Sequence, residues 1–189
     1  SFCAGSIILG HNHYVFKNAI KNYLKKDISN FAAPNIYAEN YAKILRKKLK
    51  NCSKIIFCNS GTEAIIKSLR IVKALSEKKK IVSVTGSWHG SVDKLLFTPG
   101  KNLKPNYLSS GLSISDKKNL IFIPYNNIEK SKKILIKNKK YISCIIIEPI
   151  QGALPTANCK KYLKFLKNFC KKNKKILIFD EMITGLRSR

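Results

Sequence analysis

Short apolar runs alternate along this chain with longer stretches in which apolar residues recur every three or four positions. The first kind predicts buried strands, and the second predicts helices with one face turned to a core. Tyr14–Lys25 and Ala38–Lys50 have helical spacing, with Ala38, Tyr41, Ala42, Leu45 and Leu49 on one face of the second. Phe31-Ala32-Ala33-Pro34-Asn35 breaks the chain between them. Lys54–Cys58 reads as a buried strand, and Ile65, Leu69 and Val72 mark the inner face of the helix that follows it. Ile81–Thr85 is a β-branched strand ending in the turn Gly86-Ser87-Trp88-His89-Gly90. Leu120–Ile123 is a strand ending at Pro124-Tyr125-Asn126-Asn127, before a helix over Ile128–Lys137. Ser143–Ile147 ends at Glu148-Pro149; Tyr162, Leu163, Leu166, Phe169 and Cys170 mark a helix; and Ile176–Phe179 ends at Asp180-Glu181. From Thr98 to Lys118 no period is visible, and a stretch of that length reads as a functional or mobile loop.

Strand then helix, repeated with unbroken apolar strands, predicts an α/β fold: a largely parallel sheet covered by helices on both faces. No internal repeat is visible. Ligands of such sheets bind outside the carboxyl ends of the strands. The polar motifs fall at those ends: Ser60-Gly61-Thr62, Trp88-His89, Glu148 and Asp180.

Composition narrows the partners. The 189 residues carry 37 Lys+Arg against 10 Asp+Glu, a formal net charge of +27. Such a balance suits a nucleic acid or an acidic membrane. However, only Arg46, Arg70, Arg187 and Arg189 are arginines, and the other 33 basic residues are lysines scattered over nearly every predicted helix and loop. Base readout and phosphate clamping favour the Arg fork, so the lysines read as solvated faces and specific nucleic-acid binding is not expected. No apolar run approaches the ~20 residues that span a bilayer. The start, SFCAGSIILGHNHY, lacks the basic segment of a signal peptide and an initiating Met, which suggests a chain beginning inside a longer protein. The six cysteines form no C-x-x-C pair and several sit in apolar runs, as expected of a reducing, cytoplasmic protein. His11 and His13 stand two apart with no Cys nearby, so no metal site is expected.

Ser60 followed three residues later by Glu63 is a capping box at the start of a helix. Small residues there leave backbone N–H groups open, and with the helix dipole they form an anion site, although the pair also reads as a cap alone. Trp88 offers a flat face for a ring, and Asp180 a partner for a protonated ring nitrogen. Taken singly, Trp88 also reads as a core aromatic and Asp180 as a strand-end carboxylate capping the next turn. Taken together, they describe a site for a planar, phosphorylated, nitrogen-containing ligand, and pyridoxal phosphate meets all three requirements.

The motifs carry a resemblance. Ile8-Leu9-Gly10-His11, Asn59-Ser60-Gly61-Thr62-Glu63-Ala64 with Leu69-Arg70, Gly86-x-Trp88-His89-Gly90, Pro124-Tyr125-Asn126-Asn127, Glu148-Pro149 and Phe179-Asp180-Glu181-Met182-x-Thr184-Gly185-Leu186-Arg187 span the chain in order. This series resembles the class III pyridoxal-phosphate-dependent aminotransferases, and most closely the glutamate-1-semialdehyde 2,1-aminomutase branch. The resemblance implies part of the large domain of a fold-type I pyridoxal-phosphate enzyme. It implies that Gly61 and Thr62 hold the phosphate with Ser60 among the cofactor-binding residues, that Trp88 stacks on the ring with His89 beside it, that Asp180 meets the ring nitrogen, and that Glu148 and Met182 lie near the ring. Small-molecule amino and carbonyl substrates and a homodimeric full-length enzyme follow from the same resemblance. Residues 1–40 then read as an entry segment with the first helix, and 41–189 as a partial cofactor-binding domain.

The departures bear on function. The family's Schiff-base lysine follows the Asp-Glu motif by a few tens of residues, and no lysine follows Asp180 in this sequence. The chain therefore reads as part of a larger enzyme, truncated before its catalytic lysine and inactive alone, with an inactive remnant or a basic nucleic-acid-binding α/β protein as alternatives. Ala4 stands where the aminomutase branch carries a bulky aromatic, and Asn127 where it carries Asp. An aminotransferase acting on another amino compound, such as one serving surface-polysaccharide synthesis, fits nearly as well.

Overall fold

Four aliphatic segments, Lys80–Val84 (β1), Leu120–Ile123 (β4), Ile142–Ile147 (β5) and Ile176–Phe179 (β6), form one parallel sheet in the order β4-β1-β5-β6. The structure is a computed structural model that describes residues 7–26, 35–49, 52–156 and 158–187. It falls into two compact units that divide between Asn59 and Ser60. The second unit holds the sheet.

Along β1 and from Cys144 to Ile147 of β5 successive side chains enter opposite cores, as the pleat requires, and a register shift between Lys80 and Ile81 leaves Ile142 on the same side as Ile145. Ile81, Cys144 and Ile146 face one core with Leu120 and Phe122 of β4, closed by Ile65, Leu69 and Val72 of the helix Gly61–Leu75 (α3). Val82, Val84, Ile142, Ile145 and Ile147 face the other, closed by Leu135 of Ile128–Asn138 (α5) and by Tyr162, Leu166 and Cys170 of Lys160–Lys172 (α6). All six residues of β5 are buried. Each aliphatic side chain so enclosed contributes about 1.5–3 kcal/mol, which is why an unbroken apolar run specifies the central strand.

From β1 the chain crosses to β4 on one side, whereas from β5 it crosses to β6 on the other. The connections diverge at the carboxyl ends of the adjacent strands β1 and β5, the position at which sheets of this kind carry their ligand crevice. The candidate residues of this unit border it.

In the first unit, Tyr14–Leu24 (α1) begins at His13, whose Nδ1 accepts a 3.4 Å hydrogen bond from Val15 N, and Ile36–Lys48 (α2) begins at Asn35, whose Oδ1 accepts from Ala38 N at 2.9 Å. The strand expected at Lys54–Cys58 is not formed: among the described residues these pair with no strand, and Ile56 and Phe57 are exposed. An apolar pattern suits a strand, but a ladder also needs a partner.

The stretch 98–118 is also more ordered than its sequence suggests. Phe97–Pro99 (β2) and Pro105–Tyr107 (β3) pair antiparallel, with the Phe97 and Tyr107 rings 5.5 Å apart, and Ile114–Asn119 (α4) follows. Three-residue strands are too short to show a period. Of the sequence readings, Ala4 and the break at Phe31–Pro34 lie outside the described residues.

Candidate functional site

Three strand ends and one helix start supply the crevice. At the start of α3, Ser60 Oγ accepts from Glu63 N at 3.1 Å, and the Glu63 carboxylate pairs with Lys67 at 2.9 Å. The N–H groups of Gly61 and Thr62 stand in the first turn, where no intrahelical acceptor exists. Thr62 Oγ1 accepts from Ser91 N at 3.1 Å, so its own proton is free to donate elsewhere. Gly90 allows that contact: its φ is +71°, and a Cβ there would collide with the Thr62 side chain and come within 3.1 Å of Thr62 Cα.

After β1 the chain turns at Gly86, φ +85°, and presents Trp88 with 57 % of its surface exposed. Trp88 is therefore no core aromatic. His89 next to it is buried, and its Nδ1–H donates to Asp180 Oδ2 at 2.8 Å. A carboxylate offers only lone pairs, which assigns the proton of that bond to Nδ1. His89 Nε2 is buried with no partner among the described residues. Asp180 follows β6, and its Oδ1 accepts from Met182 N at 3.2 Å. It thus both caps its own turn and meets a buried imidazole 91 positions away in sequence. Each carboxylate oxygen retains a further lone pair for a ligand.

Glu148 follows β5, and both of its oxygens face backbone: Oε1 accepts from Trp88 N at 2.7 Å and Oε2 from Gly152 N at 3.0 Å. Met182 is 52 % exposed and lies against the start of α3, where a Cβ on Gly61 would stand 3.0 Å from its Cγ and Sδ. All eight candidates, Ser60, Gly61, Thr62, Trp88, His89, Glu148, Asp180 and Met182, therefore lie at these chain ends, linked by the contacts just described. The crevice combines helix N–H donors, a free hydroxyl, an exposed indole and a buried carboxylate–imidazole pair. Those groups suit an anionic, flat ligand with a basic ring atom.

The sequence profile of the family described as aminotransferase class-III matches residues 3–189. The chain belongs to the class III aminotransferases. It is 35 % identical over 188 residues to the glutamate-1-semialdehyde 2,1-aminomutase of Methanocaldococcus jannaschii, covering 97 % of this chain and 43 % of that protein. The Wigglesworthia glossinidia brevipalpis protein of the same name is 36 % identical over 193 residues, with the same coverage. This class III chain thus spans less than half the length of those relatives. A transaminase with PLP bound superposes with a TM-score of 0.85 at 28 % identity, over 95 % of this chain and 42 % of that one. A glutamate-1-semialdehyde-aminomutase from Pseudomonas aeruginosa shares the fold, with a TM-score of 0.79 at 17 % identity over 94 % and 39 %.

One buried polar residue bordering the crevice was not visible as a motif. Gln151 is 2 % exposed, and its Nε2 donates to Thr85 O at 2.7 Å and to Ser87 Oγ at 3.0 Å. Its position just past a buried strand, three residues after Glu148, is the signal that marks it. Asn127, read in the sequence as a departure from the aminomutase pattern, caps α5: its Oδ1 accepts from Lys130 N at 3.0 Å. Asn and Asp serve that role about equally, so the departure bears on a helix start.

Proposed function

We propose that this chain forms part of the cofactor-binding domain, spanning 41–189, of a pyridoxal-phosphate-dependent enzyme that moves amino groups on small amino and carbonyl compounds. Similarity to the glutamate-1-semialdehyde 2,1-aminomutases named above supports an aminomutase or a related aminotransferase as the first candidate. The observation that carries this reading is the buried Asp180–His89 pair at 2.8 Å, on the turns after β6 and β1 of the same sheet that bring Trp88 and the start of α3 to the crevice.

The residues present fit the cofactor. Asp180 keeps lone pairs beyond those used by His89 and Met182 N, Trp88 presents an uncovered face, and the first turn of α3 has outward N–H donors. When bound, pyridoxal phosphate supplies a protonated ring that withdraws electrons from the carbon next to the substrate nitrogen. Asp180 would hold the proton on the ring nitrogen, and His89 would fix the carboxylate that does so. Gly61, Thr62 and the Thr62 hydroxyl would hold the phosphate, with Ser60 keeping the helix start in register. Trp88 would cover one face of the ring, and Glu148 and Met182 would border it. No lysine follows Asp180 in this sequence, so no residue here is assigned the covalent bond to the cofactor. A homodimer in the cytoplasm completes the reading; no helix among the described residues is long and apolar enough to cross a membrane.

The test is Asp180→Ala in the full-length protein. The variant should keep its fold by circular dichroism and lose most of its turnover, on the order of 100-fold or more, as expected for a lost transition-state charge partner. Near-normal turnover would remove Asp180 from its assigned role. A wild-type protein that binds no pyridoxal phosphate would favour the inactive-remnant reading.

A further inference from the structure

An indole that is 57 % exposed cannot be fixed by packing, so the position of Trp88 must be set through its backbone. That backbone is held from one direction by two buried side chains of the turn after β5. Glu148 Oε1 accepts from Trp88 N at 2.7 Å while Oε2 accepts from Gly152 N at 3.0 Å, which ties the Glu148 carboxylate to its own turn. Gln151 Nε2 donates to Thr85 O at 2.7 Å and to Ser87 Oγ at 3.0 Å, three residues and one residue before Trp88. The fit is close: a Cβ on Gly86 would stand 2.9 Å from Gln151 Oε1, so the turn admits no side chain at that point. Both groups are nearly sealed from water, Glu148 at 5 % and Gln151 at 2 % exposure. Bonds so shielded are hard for solvent to replace.

We infer that Glu148 and Gln151 form a clamp that sets the height and tilt of Trp88 across the β1–β5 crevice. They are positioning residues that act through Trp88. The inference rests on the reading of Trp88 as the plate that stacks on the cofactor ring, and it adds Gln151 and a backbone route to that reading. It also explains the mixture of chemistry in Glu148-Pro149-Ile150-Gln151-Gly152, where two long polar side chains are buried at a strand end.

The decisive experiment is a double-mutant cycle in the full-length protein, read as the dissociation constant for pyridoxal phosphate by equilibrium dialysis. Gln151→Met keeps the shape of the side chain and removes both donated bonds. It should weaken cofactor binding about tenfold when Trp88 is present and less than about twofold in a Trp88→Ala background, because coupled residues are non-additive. Equal losses in the two backgrounds, or no loss in either, would overturn the clamp. A second measurement stands apart from the cofactor: hydrogen exchange of the Trp88 amide in protein stripped of ligand. Glu148→Gln should speed that exchange about tenfold, since an amide side chain cannot accept from both N–H groups. Unchanged exchange would overturn the clamp even if the wild type binds pyridoxal phosphate. Faster exchange in a protein that binds none would support the clamp and sink the functional reading alone.

Discussion

Two turns leave the same end of the sheet, and they are anchored in opposite ways. The turn after β4, Pro124–Asn127, is pinned from the core. The fully buried Tyr162 donates its hydroxyl to Pro124 O at 2.9 Å, and Ser131 donates to the same carbonyl at 3.1 Å. Tyr125 packs against that core and donates its hydroxyl to Pro149 O, and Asn127 caps α5. The turn after β1, Thr85–Gly90, is pinned by polar side chains from neighbouring turns and by the Thr62–Ser91 contact, and it presents its largest side chain to solvent. A turn whose aromatic serves the core is held by packing as well as by hydrogen bonds. One whose aromatic stands exposed is held by hydrogen bonds to its backbone. The contrast separates scaffold from site on physical grounds.

The largest expected effect lies where the second of these turns meets α3. Gly90→Val places a branched side chain at φ +71°, against Thr62 Cα at 3.1 Å, which is backbone and cannot swing away. Left-handed strain of about 1–2 kcal/mol and overpacking of about 1–3 kcal/mol together predict a loss near 3 kcal/mol in the urea unfolding of the full-length protein. Gly111→Val is the control, because its φ is +83° but nothing lies within 4 Å of the added carbon. It should show the strain alone. Equal losses at the two positions would mean that the site turn is not locked onto α3.

Next comes Tyr162→Phe, which probes the turn held from the core. Burial pushes the Tyr162 phenol up to about 12 from its ordinary 10. Folding therefore favours the protonated phenol: its contribution is complete below pH 10 and is lost as the pH rises towards 12. At pH 7 the variant loses one hydroxyl donor to Pro124 O while Ser131 still supplies another, a cost of about 1 kcal/mol. Phenylalanine cannot ionise, so the deficit should shrink above pH 10 and vanish at about pH 11. Burial also raises Cys144 to about 11 and Cys170 to about 12, so both proteins weaken from about pH 9, and the readout is the difference between their urea midpoints. A difference that is constant from pH 7 to pH 11 would place Tyr162 nearer to water than its burial implies.

Gly61→Ala tests the site from the α3 side with a smaller effect. The added carbon would meet Met182 Cγ and Sδ at 3.0 Å, and Met182 is half exposed and flexible, so the side chain can move aside. Folding stability should change by less than about 1 kcal/mol, within the ordinary range of tolerated substitutions. Pyridoxal phosphate binding should weaken about fivefold through lost close approach at the first turn, the equivalent of about 1 kcal/mol. Unchanged affinity by equilibrium dialysis would argue against the phosphate assignment at Gly61.

The scaffold is more legible in the sequence than the site's connections are. Strands β1, β4, β5 and β6 and helices α3, α5 and α6 follow from apolar runs and one-faced spacing, because those patterns are local; the inner strands β1 and β5 are enclosed on both faces, while β6 is only partly covered and leaves Phe179 exposed. Lys54–Cys58 shows the limit: its pattern suits a strand, but pairing is a relation between segments and the described residues offer it no partner. The β2–β3 hairpin shows another, since its register depends on Phe97 meeting Tyr107 and not on any period. In the site, strand-end position points to Trp88, Glu148 and Asp180 individually. What position cannot supply is the bond from His89 to Asp180, or the fact that Glu148 spends both oxygens on backbone. Those depend on which strands become neighbours: β5 lies beside β1 although β4 comes between them in sequence.

The smallest effect is expected at Asn127, and its smallness is the point. If this residue tuned the substrate, Asn127→Asp would alter turnover in the full-length enzyme. If it serves only the turn after β4, the new carboxylate should accept from Lys130 N as the amide oxygen does, at 3.0 Å. A negative charge at a helix N-terminus is favourable by about 0.3–1 kcal/mol, and the intrinsic cap preferences of Asn and Asp are nearly equal. Asp should therefore be neutral or slightly stabilising by urea midpoint, with kcat/KM within about twofold of the wild type. Asn127→Ala should cost about 1 kcal/mol of stability with the same small change in kcat/KM. A tenfold change in kcat/KM for the Asp variant, without a change in stability, would move Asn127 from the scaffold turn to the site. The division between the two turns would then have to be redrawn.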